Sequence, residues 1–223
     1  RVSHELRTPR SSILGFLDLL KNDPEQPLND DQQSFVEVIE RNANRLLALV
    51  SDLLFTAQVE SGSFPLALSS FDLNVSVAIA VESAQPNAHR SDVTVVADLP
   101  TGPLTITADP VRIGQALDNL VSNAIKFTPQ GGQVTVGAIA SGESIELWVR
   151  DTGYGVPKDE LDKLFTRFFR ASTATRNAVP GIGLGLTFIR AIVLAHGGTM
   201  TVNSVEGEGT EFRVVLPKIA VLV

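Results

Sequence analysis

Asn119-Leu120-Val121-Ser122-Asn123-Ala124-Ile125-Lys126-Phe127 is the stretch on which the reading of this 223-residue chain turns. Set on a helix, Gln115, Asn119, Asn123 and Lys126 fall along one face, and Ile113, Leu117, Leu120, Val121 and Ala124 cover the buried side. Helix surfaces are usually dressed with Glu and Lys, and asparagine is a poor helix former, so two amides one turn apart ask for a chemical reason. Amide oxygens at that spacing suit Mg²⁺, which takes few protein ligands and keeps water and phosphate oxygens around it. Lys126 adds a point charge for phosphates. Taken alone, the row also reads as an ordinary polar helix face.

Working outward, Asp109-Pro110 starts this helix, with Asp as N-cap and Pro in the first turn. Upstream, the pattern predicts a helix from about 73 to 86 and strands near Thr94–Asp98 and 104–107. Downstream come alternating strands over 133–140 and 144–150, a helix over about 184–195, and a closing hairpin of 199–204 and 210–216. Antiparallel strands with segregated helices predict an α+β sandwich.

Two glycine-bearing segments flank the last helix and strand. Asp151-Thr152-Gly153-Tyr154-Gly155 follows a strand directly. Its carboxylate can accept an exocyclic amine such as that of adenine, and its glycines let the chain turn against a base. A plain strand-ending turn accounts for the segment equally well. Gly181-Ile182-Gly183-Leu184-Gly185-Leu186 opens the 184–195 helix, where exposed N–H groups favour anions. It has neither the βαβ setting of a Rossmann site nor the Gly-Lys-Ser/Thr of a P-loop.

Residues 1–60 read differently. Leu6, Arg10, Ile13, Leu17 and Leu20 are spaced by fours and threes, and Phe35, Ile39, Asn42, Leu46, Leu49 and Leu53 repeat the pattern. Asn22-Asp23-Pro24 separates them, with a Pro-rich connector to Asn29, so the segment predicts a helical hairpin. Its apolar stripe predicts a homodimer, closing into a four-helix bundle through residues 1–60. The expected domains are 1–62, a hinge at 63–70, and 71–223. Arg10 on the seam is a costly charge unless paired or in water, and Asn42 is a polar seam residue able to set register.

Composition narrows the partners. The net charge of −7 leaves nothing to neutralise a nucleic-acid backbone. There is no cysteine, and the three histidines, His4, His89 and His196, are scattered, which disfavours a zinc cluster. No run approaches the roughly 20 apolar residues of a membrane span. The expectation is a soluble piece of something longer, without membrane contact of its own, whose parent could be membrane-anchored. His89 sits in a polar stretch expected to be a solvated loop, and His196 reads as a structural residue at a helix end.

These segments resemble, in order, the N, G1, F and G2 boxes of the Bergerat-type (GHKL) ATP-binding fold. The F-box match is Leu164-Phe165-Thr166-Arg167-Phe168-Phe169-Arg170, and Glu206-Gly207-Glu208-Gly209-Thr210 is also similar to that family. The resemblance implies Asn123 as Mg²⁺ ligand, Asn119 and Lys126 as phosphate contacts, Phe127 against the nucleotide, and Asp151 as the reader of adenine. It assigns Phe165, Phe168, Arg170, Gly153, Gly155, Gly181, Gly183, Gly185 and Leu186 to the ATP pocket and its lid. Residues 171–180, with little to pack, would be the mobile lid.

Near the start, Ser3-His4-Glu5-Leu6-Arg7-Thr8-Pro9 resembles the phosphoacceptor box of histidine kinases. A neutral imidazole beside a carboxylate is a competent nucleophile, but taken in isolation a lone exposed histidine next to an acid is better read as meaning nothing. By the resemblance His4 takes the phosphate, Glu5 assists as general base, and Thr8 helps position water when such a kinase acts as a phosphatase. Arg10 departs from the aliphatic residue usual there. The whole pattern resembles a sensor histidine kinase of a two-component system, cytoplasmic and using ATP and Mg²⁺. It implies autophosphorylation of His4 and transfer to an aspartate on a response regulator receiver domain.

Overall fold

The computed structural model describes residues 15–22, 27–43, 46, 66–179 and 181–220. The chain divides into two compact units, Arg1–Ala57 and Gln58–Val223.

In the first unit, helix α1 covers 15–21 and helix α2 covers 30–43. Asn29 and Gln32 form a reciprocal capping box at the start of α2: the Gln32 amide donates to Asn29 Oδ1 at 2.9 Å, and the Asn29 amide to Gln32 Oε1 at 3.1 Å. Lys21 on α1 reaches Glu40 on α2 at 2.8 Å, and Leu17 and Val36 are buried. Most of the described remainder of the apolar stripe is exposed. Phe16, Leu19, Leu20, Phe35, Ile39 and Leu46 are each more than half exposed. Asn42 turns its amide back onto the Val38 carbonyl. Leu6, Arg10, Ile13, Leu49 and Leu53 of the expected seam lie outside the described residues, as do 63–65 of the expected hinge.

The second unit is a two-layer sandwich. Its elements are β1 (Ser69–Asp72), α3 (Leu73–Arg90), β2 (Thr94–Asp98), β3 (Thr105–Ala108), α4 (Pro110–Phe127), β4 (Gln133–Ser141) and β5 (Ser144–Asp151). A 3-10 turn (Lys158–Lys163), α5 (Ser172–Arg176), α6 (Gly185–Ala195), β6 (Thr199–Val205) and β7 (Gly209–Pro217) follow. Five strands pair in the order β2-β4-β5-β7-β6, all antiparallel except β2 with β4; β1 and β3 pair separately. The three long helices lie on one face, with α4 between α3 and α6.

Alternation decides the layering. Val134, Val136 and Ala138 of β4, and Ile145, Leu147 and Val149 of β5, point into the core. Helix α4 buries Ile113, Ala116, Leu117, Leu120, Val121, Ala124 and Ile125 along one side. Each of its large aliphatic side chains contributes roughly 1.5–3 kcal/mol on burial, so this helix cannot rotate its polar row away from where that face puts it. On the open side of the sheet Trp148 lies where only Gly137 leaves room, since a Cβ at Gly137 would stand 2.2 Å from the indole. Arg213 stacks over the same ring at 5.7 Å.

Three local features differ from expectation. β1 opens at Ser69, inside the stretch read as hinge. Helix α3 runs through Pro86 to Arg90 instead of stopping there, because Ala88 is buried and the Ser91 amide closes the last turn on Asn87 and Ala88 carbonyls. His89 therefore sits on that last helical turn, exposed, and not in a loop.

Candidate nucleotide site

Asp109 is the N-cap of α4, as read from the sequence. Its Oδ1 accepts the Val111 and Arg112 amides, both at 3.1 Å, and its Oδ2 accepts the Ala67 amide at 3.0 Å. The backbone N–H of Asp109 donates to His196 Nε2 at 3.0 Å, and His196 Nδ1 lies 2.7 Å from the Ile192 carbonyl. His196 is completely buried. Accepting at Nε2 leaves Nδ1 as the donor, so the ring is the neutral tautomer, and burial pushes its pKa down. The C-terminal end of α6 is thereby pinned to the start of α4.

That pin sets what faces what at the other end. The Asn119 amide nitrogen donates to the Gln115 carbonyl at 2.9 Å, and Arg112 holds Gln115 Oε1 at 2.9 Å. Asn119 Oδ1 is left toward α6, where a Cβ on Gly185 would stand 3.6 Å from it and 3.5 Å from Asn123 Nδ2. The half-buried Asn123 side chain has no hydrogen-bond partner among the described residues. Two amides and the N-terminal residue of an 11-residue helix thus converge on one place, where donors and carbonyl oxygens suit phosphate and Mg²⁺. Lys126 stands exposed in the last turn of α4.

The Asp151–Gly155 loop is joined to the end of the same helix. The Tyr154 amide donates to the Phe127 carbonyl at 3.0 Å. A Cβ on Gly153 would come within 2.3 Å of that same oxygen. Asp151 is buried, and its Oδ1 accepts the Gly153 amide at 2.9 Å and the Thr210 amide at 3.2 Å. Burial pushes its pKa up to about 6, against the lowering effect of those two bonds. Gly155, with φ +64°, packs so closely on the Val205 carbonyl that a Cβ would lie 2.0 Å from it.

The F-box residues meet the second glycine segment. The Phe168 amide donates to the Gly183 carbonyl at 2.9 Å, and Phe168 itself has φ +64°. Such a conformation costs a non-glycine residue about 1–3 kcal/mol. Gly183, at φ +79°, is packed against the Phe169 carbonyl. Arg170 donates to the Val179 carbonyl, and Phe165 lies under Arg190 at 5.4 Å. Leu186 packs with Phe169 and Leu161 on the small core of Val156, Leu164 and Ala171. Gly181 is exposed with open space around it.

The expectation that residues 171–180 have little to pack needs correction. Residues 171–179 do pack: Thr173 and Ala174 are each 2% exposed and Val179 is buried. Helix α5 is tied at its start by Glu160 on the Ser172 amide and at its end by Arg176 on Glu206, both at 2.8 Å. Small Ala, Ser and Thr side chains fit a tight space as readily as they fit no space, and composition does not separate the two. Thr173 and Ser204 are not singled out by the sequence reading, and Thr210 enters it only as the end of the Glu206–Thr210 segment. His4, Glu5 and Thr8 lie outside the described residues.

A buried carboxylate beside glycine turns, with amides facing a glycine-started helix, defines a nucleotide-binding sandwich. The model of histidine kinase-, DNA gyrase B-, and HSP90-like ATPases matches residues 108–220, and that of the His Kinase A (phospho-acceptor) domain matches 1–62. The chain belongs to the sensor histidine kinases. It is 38% identical to histidine protein kinase DivJ of Caulobacter vibrioides over 97% of this chain and 36% of DivJ. Against the circadian input-output histidine kinase CikA of Synechococcus elongatus it is 33% identical over 97% of this chain and 29% of CikA. It therefore spans about a third of the length of these relatives. Full-length ShkA, solved in complex with AMPPNP, superposes with a TM-score of 0.83 at 31% identity, covering 100% of this chain and 46% of ShkA.

Proposed function

We propose that this chain is the core of an ATP-dependent protein-histidine kinase that phosphorylates His4 and passes the phosphoryl group to an aspartate of a response regulator receiver domain. The observation that carries the reading is the convergence of Asn119 and Asn123 on Gly185, in a chain that opens with the His4 box. Asp151 reads the adenine amine, and Phe127 lies against the nucleotide. Asn119, Lys126 and the α6 N-terminus hold the phosphates. Asn123 is the residue that would hold Mg²⁺, which supplies charge neutralisation at the phosphate oxygens when bound.

A ring nitrogen of His4 attacks the γ-phosphorus as the bond to the β,γ-bridging oxygen breaks, releasing ADP, and Glu5 accepts the imidazole proton. The receiver aspartate then takes the phosphoryl group and regenerates His4. Catalysis is mostly positioning and electrostatics, with residues 1–62 carrying the acceptor, 63–70 acting as hinge and 71–223 carrying ATP. The exposed stripe of Phe16, Leu20, Phe35 and Ile39 supports a homodimer through residues 1–60. A cytoplasmic location follows from the need for ATP.

Incubation with γ-labelled ATP and Mg²⁺ tests this. Wild type acquires acid-labile, alkali-stable label, and His4→Gln and Asn123→Asp do not. Full-rate labelling of His4→Gln removes the acceptor assignment.

A further inference from the structure

Thr173 is a polar side chain in a nearly closed space, 2% exposed, and its hydroxyl donates to the Gly155 carbonyl at 2.9 Å. Valine would fill the same volume without the desolvation cost of a hydroxyl, so the bond is what makes threonine tolerable there. The oxygen it grips belongs to the loop that carries Asp151. The loop's other anchors come from elsewhere: Phe127 holds the Tyr154 amide, Gly207 donates to the Tyr154 carbonyl at 2.8 Å, and Ser204 Oγ takes the Val156 amide at 2.9 Å. Among the described residues, Thr173 makes the one hydrogen bond that runs from 171–179 to this loop. The same helix α5 is clamped to Glu160 and Glu206, so a shift of 171–179 pulls on Gly155 through Thr173. Gly155 cannot yield sideways, because the Val205 carbonyl already occupies the place of a Cβ.

We propose that Thr173 is a positioning residue that couples the seating of segment 171–179 to the loop holding Asp151, so that base selection and the seating of 171–179 change together. This rests on the reading of Asp151 as the adenine contact. A threonine that only fills space would affect all nucleotides alike. A threonine that sets the carboxylate's position affects adenine against guanine.

Binding of ATP and GTP to the full chain, measured by displacement of a fluorescent nucleotide, separates these roles. Thr173→Val, checked for an unchanged melting profile, is expected to weaken ATP about two- to tenfold, the range for one lost hydrogen bond, with little change for GTP. Thr173→Ser restores the wild-type ratio. Autophosphorylation of Thr173→Val shows a raised KM for ATP at unchanged kcat. Unchanged ATP affinity, or equal losses for ATP and GTP, overturns the proposal. Asp151→Asn runs in parallel: if it leaves the ATP-to-GTP ratio intact, the adenine reading itself fails. If Asp151→Asn collapses the ratio and Thr173→Val does not, only the coupling fails.

Discussion

Asp151 shows how one residue carries opposite demands. Its pKa near 6 lies above the ordinary carboxylate value of about 3.9, because the desolvation cost of burial outweighs two amide bonds. Between pH 4 and 6 the native state therefore holds a proton that the unfolded chain has lost, and this residue's contribution to stability falls as pH rises across that window. The penalty above pH 6 is on the order of 2–3 kcal/mol. On the proposed reading of Asp151, adenine recognition runs the other way, because an ionised acceptor bonds the exocyclic amine more strongly. ATP affinity is expected to drop as pH falls through 6, and the ligand-free protein to gain stability over the same range. Comparing wild type with Asp151→Asn in urea melts and in ATP titrations from pH 4.5 to 8 isolates both effects. Identical pH profiles for the two proteins would show that Asp151 does not titrate in this window.

At the scale of elements, α4 and α6 are fastened at one end by His196 and Asp109 and meet at the other through Asn119, Asn123 and Gly185. The two halves of the cradle are thus one structural unit, and a residue remote from the Asn119–Gly185 meeting point ties the two helices together. His196→Ala leaves the Asp109 amide without its acceptor and opens a cavity, with an expected loss of about 3 kcal/mol or more in urea unfolding. Nucleotide affinity should fall in the variant fraction that remains folded, because α6 loses its register along α4. A variant as stable as wild type would mean that the His196–Asp109 bond is dispensable. The Asp109-Pro110 start, the amide row and the core face of α4 were all readable in advance, since capping and 3.6-residue periodicity are local rules. The His196–Asp109 bond spans 87 residues and left no local trace.

At the scale of the whole chain, the unit Gln58–Val223 contains its own core, its own sheet and every described residue of the candidate nucleotide site. It should fold alone and bind ATP with near wild-type affinity, while transferring no label to itself because it lacks His4. Calorimetric titration of the 58–223 piece checks the first half, and adding the 1–57 hairpin in trans probes the second. Failure of the piece to melt cooperatively would mean that the hairpin supplies part of its stability.

The division between what was readable and what was not follows from range. Order and spacing of the amide row, the Asp151 turn, the glycine segment and the His4 box identified the family, because chemistry that recurs at fixed sequence offsets is written locally. The break from heptad spacing to alternating strands separated a helical hairpin from a sandwich by the same logic. Only the tertiary structure decided that Ser69 already belongs to a strand, that α3 continues past Pro86, and that 171–179 packs against the Asp151–Gly155 loop. It also decided that Thr210 and Thr173, distant in sequence, hold the two ends of that loop. Each of these rests on a contact between segments that neither segment's composition encodes, since a buried threonine and an exposed one look alike until something is packed over them.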